Sequence, residues 1–265
     1  MVYFKIEINI VVVEKTNIFL KSITKENTML KIEHLTKKYG TKIAVNNLSL
    51  QIEPGEICAF IGHNGAGKTT TLKACTGILS FDEGRIFVDG ISVLDNPMQT
   101  KQRMAYIPDN PDLYEFMTGI KYLSFIADIY GMGTEREERI KDLSTRLGLA
   151  DALSSPISSY SHGMKQKLAV ISAFIHRPRL ILMDEPFVGL DPKAAHILKE
   201  LMHEHCAEGG SIFFSTHVLD VAEKLCDRVA IIKDGSLVVF GDMDTVRGDS
   251  SLESVFLDLE GEENA

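Results

Sequence analysis

The sequence predicts an α/β fold with a mixed central sheet, an antiparallel β-subdomain and an inserted α-helical subdomain. Three observations carry this. A glycine-rich stretch at residues 62–67 joins an apolar, strand-like run to a helix-like one. Short, wholly apolar runs in the second half alternate with helical patterns, as buried parallel strands do. A block at about residues 118–177 reads as helix almost throughout.

Residues 1–28 differ from the rest of the chain. Residues 6–13 form an apolar, β-prone run and residues 21–28 are polar, with neither a basic start before an apolar core nor a small-residue cleavage site, a pattern that argues against a secretory leader. The folded unit is expected to start near Met29, leaving residues 1–28 as an extension, disordered or the product of a misplaced translation start. Leu30-Lys31-Ile32-Glu33-His34-Leu35 alternates as a half-buried strand does. Strand runs at 48–52 and 56–61, joined by Pro54-Gly55, and at 85–88 after Asp82-Glu83-Gly84, read as antiparallel. A helix is predicted over 69–76. Thr134 and Glu137 have capping-box spacing within the helical subdomain at about 110–177. The runs at 180–183, 212–215 and 229–232 suggest a parallel sheet covered on both faces, and Asp234-Gly235 marks a hairpin. One domain is thus expected over 29–242, followed by a short helical tail at 243–265.

Composition narrows the function classes. The 265 residues are 45% hydrophobic and 25% charged, with a formal net charge of −9. An acidic chain without a basic run argues against nucleic acid and against electrostatic docking on anionic lipid. No stretch approaches the ~20 apolar residues of a membrane-spanning helix. Cys58, Cys75, Cys206 and Cys226 have neither metal-ligand nor paired-motif spacing, which predicts buried free thiols in a reducing compartment.

The chemistry begins at Gly62-His63-Asn64-Gly65-Ala66-Gly67-Lys68-Thr69, which matches G-x-x-x-x-G-K-[ST] directly after the apolar run Ile57-Cys58-Ala59-Phe60-Ile61. A tight loop between strand and helix aims successive backbone N–H groups at a phosphate, Lys68 adds a cation, and the Thr69 hydroxyl faces Mg²⁺; Thr70 follows in the same helix. This is the signature of a P-loop NTPase. Further on, an apolar strand ends in Asp184-Glu185. Adjacent residues on a strand point apart, so Asp184 is placed to bind Mg²⁺ and Glu185 to orient or deprotonate an attacking water. Ser215-Thr216-His217 ends another apolar run, with His217 a candidate donor to a terminal phosphate.

With these residues in view the chain resembles the ATP-binding cassette family, the nucleotide-binding subunits of ABC transporters, over about residues 29–242. The resemblance implies roles for further residues. Tyr39 stands where the family stacks a ring on adenine, and Val45 where an apolar side chain touches the nucleoside. Ser161, His162, Gly163 and Met164 stand where the family carries its signature, usually Ser-Gly-Gly-Gln, ahead of a helix. Asp191 in Gly189-Leu190-Asp191 matches the loop that contacts the opposing subunit, and His217 matches the family's switch histidine. Two departures stand out. Asp109 replaces a glutamine, putting a fixed negative charge near the metal. His162 and Met164 replace a glycine and the glutamine of the signature, although Ser161 can still cap the helix.

The resemblance further implies an ATPase using ATP and Mg²⁺, in which the signature of one subunit closes over the nucleotide of a second, identical or different, ATP-binding subunit. Integral membrane subunits would hold the pair at the cytoplasmic face of a bacterial membrane, with Pro111-Asp112-Leu113-Tyr114-Glu115-Phe116-Met117 offering apolar side chains to a partner helix or to the subdomain core. The short stretch at 241–265 leaves no room for the regulatory domain of some importers. Together with the Ser-His-Gly-Met signature and Gly241-Asp242-Met243-Asp244, this looks most like ATPase subunits of ABC-2-type exporters. Soluble cassette proteins of translation or DNA repair, which carry two cassettes or a long coiled coil, and a regulatory module that only senses ATP are the rival readings.

Overall fold

The computed structural model describes residues 28–261; the expectation for the N-terminal extension lies, Thr28 apart, outside the described residues. Two sheets organise the chain. Strands β1 (Leu30–Tyr39), β2 (Lys42–Ile52), β4 (Glu83–Val88) and β5 (Ile91–Ser92) form an antiparallel sheet in the order β2-β1-β4-β5. Strands β3 (Ile57–Ile61), β6 (Met104–Ile107), β7 (Leu180–Asp184), β8 (Ser211–Thr216), β9 (Arg228–Lys233) and β10 (Ser236–Asp242) form the second, in the order β10-β9-β3-β8-β7-β6. All pairs in it are parallel except β9 with β10.

Strand pleat explains why the second sheet is apolar throughout. Ile57, Ala59 and Ile61 of β3 enter one core with Ile181, Met183, Ile212 and Phe214, while Cys58 and Phe60 enter another with Leu180, Leu182 and Phe213. The second core also takes Leu30, Ile32, Leu48, Leu50 and Ile86 of the antiparallel sheet, and Leu72 and Cys75 of helix α1 (Lys68–Cys75). Helices α3 (Gly119–Ile129), α4 (Arg136–Arg146), α5 (His162–Phe174) and α6 (Pro192–Ala207) build the first. Helices α2 (Pro97–Arg103), α7 (Leu219–Leu225), α8 (Met243–Arg247) and α9 (Leu252–Gly261) complete the described residues.

One expected pairing is corrected. The run at 56–61 does not pair with 48–52 through Pro54-Gly55; β3 instead lies between β8 and β9, parallel to both. All five of its residues are buried, so it needs cover on both faces, which an alternating hairpin strand does not. Gly55, at φ 88°, turns the chain from one sheet to the other and donates its N–H to Gly210 O at 2.9 Å. The hairpin at Asp234-Gly235 does form, with both residues at positive φ as a type I′ turn requires.

The helical block matches the sequence in outline, but the Thr134/Glu137 capping box does not form. Helix α4 begins at Arg136, and the Glu135 carboxylate accepts from Gly133 N at 3.1 Å, satisfying the turn locally one residue later than the box demands. Arg139 caps the end of α5 by donating to Ile175 O at 2.5 Å and Phe174 O at 2.7 Å. Arg146 forms a bidentate pair with Glu204, 2.7 Å on each arm, tying α4 to α6. The four cysteines are buried free thiols, and burial pushes the Cys206 thiol up to about 12.

Candidate active site

A cavity of about 540 Å³ opens beyond the carboxyl ends of β3, β6 and β7, where ligands of open parallel sheets sit. The glycine-rich loop forms its floor for steric reasons. Gly67 has φ 110°, and a Cβ there would lie 2.5 Å from Ala44 O; a Cβ on Gly62 would lie 2.4 Å from Ile232 O. The β9–β10 hairpin clamps the loop from outside, Gly235 N donating to Ala66 O at 3.0 Å and Gly235 O accepting from Asn46 N at 2.8 Å. The loop is thus held between β2 and the β9–β10 turn, the latter far from it in sequence.

Lys68, only 7% exposed, bridges the loop by donating to Gly62 O at 2.5 Å and His63 O at 3.2 Å. Burial lowers its pKa, and the charges of Glu185 and Asp184 partly restore it. Asp184 is 3% exposed and doubly bonded: Oδ2 accepts from Thr69 Oγ1 at 2.6 Å and Oδ1 from Ser215 Oγ at 2.5 Å. Glu185 has other partners. Its backbone turns left-handed at φ 48°, a strained state for a non-glycine residue, and its N–H donates to Ser215 Oγ at 3.0 Å and Ser215 O at 3.2 Å. Its carboxylate lies 2.9 Å from His217 Nδ1 and accepts from His217 N at 3.3 Å.

The structure therefore brings Tyr39, His63, Asn64, Gly65, Gly67, Lys68, Thr69, Thr70, Asp109, Asp184 and Glu185 around one cavity, with His217 attached through Glu185. Val45 is corrected: its side chain is fully buried beneath the loop, and Ala44 and Lys42 line the cavity in its place. The alternation of β2 puts Val45 on the core side. Gly62 and Ala66 likewise form the underside of the loop.

The signature residues lie elsewhere; Ser161, His162, Gly163 and Met164 are not among the cavity's lining. Ser161 caps α5, its Oγ accepting from Met164 N at 3.3 Å. A Cβ on Gly163 would come 2.7 Å from Gly189 O, and one on Gly189 would come 2.6 Å from the His162 ring, so His162 packs over the 189–191 loop. Asp191 caps α6 through Ala194 N at 2.9 Å and pairs with Lys167 of α5 at 2.6 Å, contacts that hold its carboxyl below the usual range. Signature and loop form one packed unit.

Sequence reasoning missed Ser215, whose hydroxyl donates to the Asp184 carboxylate and accepts from the Glu185 backbone N–H, and Tyr106. Ser215 pairs in register with Asp184, a signal visible only once the β7–β8 pairing is known. Tyr106 lines the cavity; its hydroxyl is buried with no hydrogen-bond partner among the described residues, and burial with the nearby charges of Asp184 and Asp109 pushes its pKa up. The donor set fits Mg²⁺ carried in with a nucleotide. One hydroxyl and one firmly held carboxylate, with Asp109 on the same cavity, leave most positions to phosphate and water, the usual arrangement for this ion.

Comparison with known proteins agrees with this geometry. Residues 45–188 match the family model described as ABC transporter. The chain is 34% identical over 242 residues to the ABC-type transporter ATP-binding protein EcsA of Bacillus subtilis (strain 168), covering 89% of this chain and 98% of that one. A solved structure of the ATP-binding subunit of an ABC transporter superposes with a TM-score of 0.85 at 36% identity, covering 88% of this chain and all of that one. That of cbiO1 from Clostridium perfringens, part of the ABC transporter complex cbiONQ, gives 0.72 at 25% identity, covering 89% and 96%. The strand-held glycine loop, the split carboxylate pair and the detached signature thus belong to a member of the ABC transporter ATP-binding protein family.

Proposed function

We propose that this chain binds and hydrolyses ATP with Mg²⁺ as one of two paired subunits, and that the cycle powers export of a substrate through separate membrane subunits. One observation carries the pairing. The cavity gathers Lys68, Asp184, Glu185 and, through Glu185, His217, while Ser161 and its signature neighbours sit on another surface. A helix N-terminus capped by Ser161 suits the phosphate of a neighbouring copy.

In this reading the loop N–H groups and Lys68 hold the β- and γ-phosphates, Thr69 and Asp184 hold Mg²⁺, and Tyr39 offers its exposed ring to the base. When bound there, Mg²⁺ would supply neutralisation of charge on the phosphate oxygens. Glu185 orients the water and takes its proton, while His217, held by Glu185, donates to the γ-phosphate. Taking a pair from 1:99 to 99:1 closed requires about 5.5 kcal/mol of differential binding. At roughly 1.5–3 kcal/mol for each charge-assisted hydrogen bond, two or three bonds from each signature suffice. Loss of the γ-phosphate reopens the pair.

Membrane docking is assigned to the exposed aromatic group of Tyr114, Phe116 and Phe125, in which the two phenylalanine rings lie 5.8 to 5.9 Å from the Tyr114 ring and Phe116 is 85% exposed. Leu113 of the same stretch is buried, so the segment serves both the subdomain core and a partner. The export direction rests on the Ser-His-Gly-Met signature and the Gly241-Asp242-Met243-Asp244 stretch. The decisive variant is Glu185→Gln. It should bind ATP normally, lose at least about a hundredfold in turnover, and elute as a dimer with ATP; parental turnover would remove Glu185 from its role. Copurification with an integral membrane protein checks the partner, and transport into inverted vesicles the direction.

A further inference from the structure

The C-terminal helix α9 reaches the phosphate loop. Phe256 sets its ring 5.2 Å from the His63 imidazole, with the planes 57° apart. Together the two rings bound a cavity of about 260 Å³ whose other walls include Gly62, Asn64, His217 and Leu219. His63 in turn accepts from Lys68 through its carbonyl at 3.2 Å. A chain of contacts therefore runs from α9 through the loop to the cation of the site. The His217 side chain, 58% exposed, meets Glu185 on one side and this cavity on the other.

Helix α9 is anchored without Phe256. Leu252 is fully buried and its N–H donates to Glu223 Oε2 at 2.9 Å; Arg247 binds Glu223 Oε1 at 3.3 Å; and Lys233 Nζ donates to Leu259 O at 3.1 Å. These bonds tie the helix to α7 and to the end of β9. Phe256 itself is only partly buried and packs at the edge of the first core, beside a helix that these anchors already hold.

We propose that Phe256 is a positioning residue for hydrolysis: its ring fixes His63 of the phosphate loop and walls the space into which His217 can swing away from Glu185. The C-terminal helix thereby sets the geometry of the site. The physical reason is alignment. Catalysis by held groups is sensitive to displacements near 1 Å, and an imidazole beside a cavity of this size has room for such a displacement unless the far wall is rigid.

This inference rests on the ATPase reading, and the test separates the two. With the full chain and its partners, Phe256→Ala is expected to lower kcat about tenfold while KM for ATP and the Kd for Mg·ATP stay within about twofold, and Phe256→Tyr to restore most of the rate. A role confined to stability would lower the melting temperature without that kcat-against-KM split. Should Phe256→Ala fail to fold, Phe256→Leu keeps apolar volume without a ring against His63. It should still reduce kcat and move the His63 ring-proton NMR resonance in the nucleotide-free protein. An active parent whose Phe256→Ala or Phe256→Leu variant matches it in kcat overturns the proposal; a parent that binds ATP and releases no phosphate overturns the ATPase reading instead.

Discussion

The phosphate-loop half of the molecule and its signature half are built on opposite plans. In the first, polar side chains are largely buried and held: Lys68 by loop carbonyls, Asp184 by Thr69 and Ser215, and the Glu185 carboxylate by the more exposed His217. In the second, Ser161 and His162 are exposed; the Ser161 hydroxyl accepts from its own helix and the His162 ring packs on Gly189. A site whose partners are all in place is preorganised by its own fold. A capped helix N-terminus facing outward leaves backbone donors suited to an anion from outside the chain. The difference teaches that folding alone finishes the phosphate-loop half, while on the proposed pairing association would complete the other.

The sharpest way to break this comparison is Ser161→Ala. If the halves are separable, the variant keeps the affinity of dilute protein for ATP within about twofold, because no signature residue lines the cavity. The lost cap costs about 1 kcal/mol of stability. Turnover at concentrations that favour pairing should fall at least about tenfold, the loss of one charge-assisted donor to phosphate. Phosphate release against protein concentration reads this directly. Equal losses of affinity in dilute and concentrated samples would mean that the two halves meet within one chain.

Acid should separate the halves by stability. His176 lies just past the signature helix and stacks on Tyr130 at 3.6 Å, and His205 of α6 meets Phe174 edge-on at 5.8 Å. Burial pushes both imidazoles down to about 4, with the charge of Arg139 adding to the effect. Their native pKa values lie below the unfolded value of 6.5, so between these limits the unfolded chain binds more protons. Stability is complete above pH 6.5 and falls toward pH 4, by up to about 1.4 kcal/mol per pH unit for each histidine. Hydrogen exchange at pH 5 should rise first in α5 and α6 and later in α1 and β3. Faster exchange in the phosphate-loop half would reverse the assignment.

How far the sequence reaches obeys the same division. Contacts between neighbours in sequence are legible: the glycine loop, the Asp184-Glu185 pair, the Asp234-Gly235 turn and the Ser161 cap all depend on residues a few positions apart. Contacts set by the lateral order of the strands are not. Strand β3 reads as half of a hairpin because Pro54-Gly55 makes a turn whichever sheet comes next, and Ser215 passes for an ordinary strand residue until its pairing with Asp184 places its hydroxyl between that carboxylate and the Glu185 N–H. Val45 shows the limit of resemblance, since one step along an alternating strand exchanges cavity for core. The Thr134 box fails on a local detail, the competing Glu135 carboxylate.

Tyr106 gives the smallest effect and the finest test of preorganisation. It stands on the finished half of the site, yet its hydroxyl is buried there with no partner among the described residues. An unsatisfied buried hydroxyl costs about 1–3 kcal/mol, so Tyr106→Phe should stabilise the nucleotide-free protein against denaturant by on the order of 1 kcal/mol. If a phosphate oxygen or a water of the Mg²⁺ shell accepts from that hydroxyl, Mg·ATP stabilises the parent more than the variant and the difference between them closes. Should the variant keep its advantage undiminished in saturating Mg·ATP, the hydroxyl has no partner in the bound state either, and the preorganisation of this half stops at Asp184.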